Sequence, residues 1–166
     1  GHRVRLGAAS RPGNVSYGIT GTYDFYALDY QSFFQEALAT PWVSVAEGEA
    51  AATQVYYTIR GRDFFRDPFD PGRDSINNAA GIRQYAMLGS AARVLGVGYQ
   101  FDSEDTLSDG PMGKDFEYNG HQLDIGVSLP LWMRLDLQLA YLFRLEDYQF
   151  PNSRADFEFR RHDNAH

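Results

Sequence analysis

Two histidines fall beside carboxylates. Asp115 and Glu117 precede His121, and Asp163 follows His162. An imidazole held by a carboxylate can act as a general base, so a hydrolytic site at a loop rim is one chemistry these residues allow. The simpler reading makes both histidines rim residues at strand starts. The acidic runs Asp67-Pro68-Phe69-Asp70-Pro71-Gly72-Arg73-Asp74 and Asp102-Ser103-Glu104-Asp105 could offer carboxylate oxygens to a divalent cation. Their spacing lacks the calcium-loop pattern, and solvated loop charge is the favoured reading. Gly96 and Gly98 are too isolated for a phosphate loop and fall inside a strand pattern. The chain has no cysteine, which excludes disulfides and thiolate metal ligands. No catalytic residue, cofactor site or metal site is assigned on this basis, and the expectation is a protein that is not an enzyme.

A second set of charges recurs at every other position of apolar segments. Met133, Leu135, Leu137, Leu139, Tyr141, Phe143 and Leu145 alternate with Arg134, Asp136, Gln138, Ala140, Leu142, Arg144 and Glu146. Leu123, Ile125, Val127, Leu129 and Leu131 likewise alternate with Gln122, Asp124, Gly126, Ser128 and Pro130. Only a period of two separates the charges this cleanly; a helix would scatter them around its girth. Weaker alternation marks strands around Val4–Ala8, Val15–Tyr26, Gln54–Arg60 and Leu95–Asp102, with further strands expected near Phe33–Val43 and Ala79–Leu88. No helix is expected. Short turns are expected at Arg11–Asn14, Glu47-Gly48, Gly89-Ser90 and Pro130–Trp132. Longer polar links are expected at Asp29–Ser32, Arg62–Asn78, Asp102–Gly120 and Asp147–Arg160.

The alternation of short turns with longer links is that of an up-and-down bacterial barrel. The 11 Tyr, 12 Phe and 2 Trp favour β structure, and Trp132, Tyr141, Phe143, Tyr23, Phe25, Tyr99 and Phe101 are expected near strand ends, as interfacial girdles. With 22 Asp+Glu against 15 Lys+Arg, the net charge of −7 argues against a nucleic-acid partner. No apolar run reaches the ~18–20 residues of a membrane helix. The strand over 133–145 exceeds the ~5–6 residues usual in soluble sheets and suffices for the ~9–11 of a tilted membrane strand. The fold class expected is therefore all-β: an antiparallel up-and-down transmembrane β-barrel of eight strands plus the start of a ninth. Residues 1–166 form one domain, a piece of a larger barrel that need not be complete at either end. Arg5, Asp24, Arg60, Asp102, Asp124, Arg134, Asp136, Arg144 and Glu146 then line its lumen.

From Tyr57 to His166 the chain resembles a family of bacterial outer-membrane barrels, the barrel domains at the C-terminal end of tetratricopeptide-repeat envelope proteins and related surface-protein export factors. The residues carrying the resemblance are Arg62-Asp63-Phe64 with Asp67-Pro68-Phe69, Phe116-Glu117-Tyr118-Asn119-Gly120-His121, and the strand Gln122–Leu131. Arg144-Leu145-Glu146-Asp147-Tyr148 with Pro151-Asn152-Ser153-Arg154, and Arg160-Arg161-His162-Asp163, complete the set. The 34-residue helical repeats are absent, as is a closing aromatic strand. The resemblance implies a porin-like cell-envelope protein in the bacterial outer membrane. It would be a channel or export pore, or a subunit anchoring an envelope complex, with lipid and other envelope subunits as partners. Two alternatives stay open: a soluble β-barrel binding a hydrophobic ligand, and an outer-membrane hydrolase with a rim active site.

Overall fold

In the computed structural model, which describes residues 1–66, 72–89, 93–108, 110–132, 135–151 and 160–165, the chain runs back and forth as a single antiparallel meander. The strands are β1 (His2–Ser10), β2 (Val15–Leu28), β3 (Gln31–Glu47), β4 (Ala51–Phe64), β5 (Ser75–Met87), β6 (Val94–Thr106), β7 (Tyr118–Trp132), β8 (Leu135–Pro151) and β9 (Arg160–Ala165). Each strand pairs with its neighbours in sequence, and β1 and β9 are the two unpaired edges of one nine-stranded sheet. One helical turn, α1 (Pro111–Lys114), interrupts the β6–β7 link.

Strands β3 and β8 each run 17 residues, well beyond the usual ~5–6, and several positions that look like turn or link in the sequence are taken up into strands. Pro130 stays in β7, where the register slips between Pro130 and Trp132. The expected turn at Pro130–Trp132 is thus strand, a placement Pro tolerates at an irregularity. The expected long link at Asp29–Ser32 is a two-residue turn, with Asp29 at φ 52° and Tyr30 at φ 59°. Two successive positive φ values define the type I′ hairpin, whose twist matches that of its strands. Elsewhere at that end the links are longer. At the other end, Gly13 (φ 68°), Gly48 (φ 71°) and Gly89 (φ 75°) supply left-handed residues in short connections.

The burial pattern is inverted relative to a soluble sheet. In β4, Val55, Tyr57 and Ile59 are exposed while Gln54, Tyr56, Thr58 and Arg60 are part-buried. In β6, Val97, Tyr99 and Phe101 are exposed, but Asp102 is only 1% and Glu104 only 6% exposed. Among the described residues no second sheet or long helix covers either face. In a single layer, only curvature can bury one face, so the sheet is curled with its polar side concave and its apolar side convex.

Candidate functional site

The register aligns the concave face in rows. Arg60, Asn77, Glu104, Tyr118 and Tyr148 occupy one row across β4 to β8. Thr58, Ala79, Asp102, Gly120 and Glu146 form the next, and Tyr56, Gly81, Gln100, Gln122 and Arg144 the one after. Curling brings alternate strands together over these rows. Arg144 holds Asp102 bidentately, at 2.8 Å and 3.0 Å, and donates from Nε to Glu146 at 2.7 Å. Arg60 donates to Glu104 at 2.9 Å, and Tyr118 and Ser75 hydroxyls donate to the same carboxylate at 3.1 and 2.8 Å. Asn77 bridges Asp102 and Glu104. Arg62 donates to Glu36 at 2.8 Å, carrying the network to β3. Buried charge is tolerated only when paired and hydrogen-bonded, and each of these carboxylates has a guanidinium within reach. Above the network opens a recess of about 460 Å³, polar except for the Phe116 ring and two tyrosines.

Glycines on the same face let large side chains lie flat along the wall. A Cβ at Gly120 would stand 2.7 Å from Asp102 Oδ1 and 2.9 Å from Arg144 Nη2, so the bidentate pair rests on that glycine. At Gly18 a Cβ would meet Trp42 Cζ2 at 2.8 Å; at Gly81 it would meet the Tyr56 ring, and at Gly98 the Asp124 carboxylate. Gly96 and Gly98 therefore sit in β6 within the wall, as a strand reading of that segment requires.

Of the residues expected to face a lumen, Asp102, Arg60, Arg144 and Glu146 meet in the central network. Asp124 lies lower on the same face, accepting from Arg83 at 2.9 Å. Asp24 lies toward β1, gripped by Arg3 at 2.6 and 2.9 Å. Arg5 shares the face but is exposed on the edge strand opposite Thr22. Asp136 is exposed near the start of β8, away from the network. Arg134 lies outside the described residues. Glu36, Arg62, Arg83, Glu104 and Tyr118 were not expected there. The acidic run Asp102–Asp105 proves to be strand rather than loop, which turns Glu104 inward two positions after Asp102. Asp67 to Pro71 lies outside the described residues.

The convex face carries a repeated contact. The Tyr23 hydroxyl donates to Gln35 at 2.8 Å, the Tyr57 hydroxyl donates to Asn78 at 2.9 Å, and that of Tyr99 lies 2.8 Å from His121 Nδ1. In each case the partner is paired with the residue two beyond the tyrosine, on the next strand. His121 thus faces outward, at the polar border of an apolar band. Tyr141 occupies the corresponding face of β8. Tyr23, Tyr99 and Tyr141, expected near strand ends, lie inside their strands instead. Tyr23 lies across β3 from Gly61, four residues past Tyr57; Tyr57 lies across β5 from Phe101, two past Tyr99; Tyr99 lies across β7 from Phe143, two past Tyr141. The line slips eight residues in six strand steps, which at ~3.3 Å per residue and ~4.8 Å per strand is a slope of about 40°.

No protein-family model, curated protein or solved structure matches the chain. The site has therefore to be read from its own geometry. Its charges pair with one another, and it presents hydrogen-bonding groups to the concave recess. Among the described residues no group of three or more His, Asp or Glu side chains converges to hold a metal ion.

Proposed function

We propose that this sheet is the wall of a bacterial outer-membrane β-barrel, with its convex face in lipid and its concave face lining an aqueous passage through the cell envelope. The observation that carries the reading is the inverted burial: Leu6, Ile19, Val55, Ile82, Ile125 and Leu139 are exposed while Asp24, Asn77, Asp102 and Glu104 are buried. In water that arrangement leaves an uncovered apolar surface far larger than soluble monomers tolerate. In a bilayer it is the favourable one. A soluble barrel that binds a hydrophobic ligand needs the opposite faces.

Two further features support the reading. Membrane barrels tilt their strands by ~35–45° to the membrane normal. A tyrosine line slipping at about 40° across the strands would therefore run level with the membrane surface. Amphipathic rings with hydroxyls toward a polar border are what a headgroup region selects. On the concave side, the side chains laid down on Gly18, Gly81, Gly98 and Gly120 hug the wall. This favours an open lumen over an interior plugged by side chains. In lipid, the β1 and β9 edges need strand partners, because unpaired backbone groups are too costly there. The passage would therefore be bounded by more than these nine strands.

Expression with an export signal, followed by membrane fractionation and electrophoresis with and without boiling, tests the assignment. The reading expects extraction only by detergent and a heat-dependent shift in migration. A monodisperse protein in detergent-free buffer would contradict it.

A further inference from the structure

The free edge of β1 has a chemistry of its own. All nine of its residues are exposed, and β2 occupies only one of its two sides. Its side chains keep the alternation of the wall: Val4 and Leu6 face outward, Arg3 and Arg5 face the concave side. On that side Arg3, Arg60, Arg62, Arg83 and Arg144 each hold a carboxylate at 2.6–2.9 Å. Arg5 has no such partner among the described residues. Opposite it stands Thr22, and beyond that Leu38. Asp24, two residues along β2, is already taken by Arg3 through two hydrogen bonds.

The direction of β1 narrows what can cover it. Nine strands paired antiparallel in sequence order leave β1 and β9 running the same way. Copies of the chain inserted the same way up would therefore meet β9 to β1 in parallel. Two β1 strands would pair antiparallel only with one copy inverted. Bacterial barrels are antiparallel, so a second copy is the wrong occupant.

We infer that β1 is a docking edge for a strand that runs antiparallel to it, turns apolar residues outward and sets a carboxylate toward Arg5. The inference deepens the proposed barrel wall and rests on it. Main-chain hydrogen bonds supply the affinity of such strand addition, and the Arg5 guanidinium supplies a preference of sign. Opposite charges directly across a strand pair favour the match, and like charges oppose it.

The test uses the full protein in micelles of an uncharged detergent, with a fluorophore on the single cysteine of Ala9→Cys. The probes are short synthetic strands of alternating valine and threonine whose central threonine is replaced by Glu, Gln or Lys. Folding is checked by heat-dependent migration. The Glu strand is expected to bind several-fold tighter than the Lys strand, with the Gln strand between them. Arg5→Glu should reverse that order. Arg11→Glu makes the same charge change in the β1–β2 turn and should keep it. If the chain folds only with a strand present, the same order is read in how well each strand promotes folding. The inference is overturned if no strand binds the folded protein, if Arg5→Glu leaves the order unchanged, or if Arg11→Glu reverses it too. Crosslinking between copies of the chain through a Leu6→Cys variant would also overturn it, by giving the edge to a second copy. Each of those results leaves the lipid-facing wall standing. Detergent-free solubility of the protein would refute the wall and the inference together.

Discussion

Placing an arginine on the convex face should cost the membrane fold more, the deeper the position lies in the apolar band. Leu137 is the informative site: it faces outward in β8, four residues from Tyr141 on the same face, and pairs with Leu129. If that face meets hydrocarbon, Leu137→Arg costs ~2–4 kcal/mol, about a 30- to 700-fold shift in the folded-to-unfolded ratio. Ile125 also faces outward, but it pairs directly with Tyr141 on the tyrosine line. Ile125→Arg should therefore cost less than Leu137→Arg, toward the ~0–1 kcal/mol of an interfacial position. Gln138 belongs to the concave face opposite Ser128 and is exposed, so Gln138→Arg should be close to neutral. The assay is urea unfolding in vesicles of fixed lipid composition, followed by heat-dependent migration. Equal costs for Leu137→Arg and Gln138→Arg, or a greater cost for Gln138→Arg, would refute the assignment of faces.

Two other outcomes follow from particular contacts. Asp102→Asn leaves Arg144 with Glu146 but without its bidentate partner. A loss of about 1.5–3 kcal/mol is expected, and the double variant Asp102→Asn/Arg144→Gln should cost less than the sum of the two single changes, as a double-mutant cycle would measure. Tyr30 holds φ 59° in the β2–β3 turn and is fully exposed; Tyr30→Gly should stabilise the hairpin by about 1 kcal/mol, seen as a higher urea midpoint.

Much of the wall was legible from alternation alone. Where charges and apolar residues take strict turns, as in 122–131 and 136–146, the side chain's face follows from position, and Asp124, Arg144 and Glu146 are placed without coordinates. The same parity rule reaches further than a reading of each segment by its polarity. Glu104 is two residues from Asp102, and Arg62 two from Arg60, so each shares a face with its neighbour. By local polarity both fall in links, because a cluster of charges resembles a loop when its burial is unknown. Glu36 and Arg83 fall in segments where Phe33-Phe34 and Ala79-Ala80-Gly81 blur the alternation. There the strand is set by its neighbours' pairing, which no local pattern records. The pairing of Arg144 with Asp102 across an intervening strand depends on curvature, and curvature comes from the whole sheet. The Asp29-Tyr30 turn is hidden from local pattern for a plainer reason: a tyrosine at positive φ is a poor local choice, and the pairing of β2 with β3 overrides it.

The central claim is that the apolar face of each strand meets lipid and the polar face meets water. The most direct measurement is a single-cysteine spin-label scan of β4 from Gln54 to Arg60 in vesicles, which the absence of native cysteine makes clean. The account predicts that labels at 55, 57 and 59 collide preferentially with oxygen, and those at 54, 56, 58 and 60 with a water-soluble nickel chelate. The opposite phase, or no alternation at all, would contradict it.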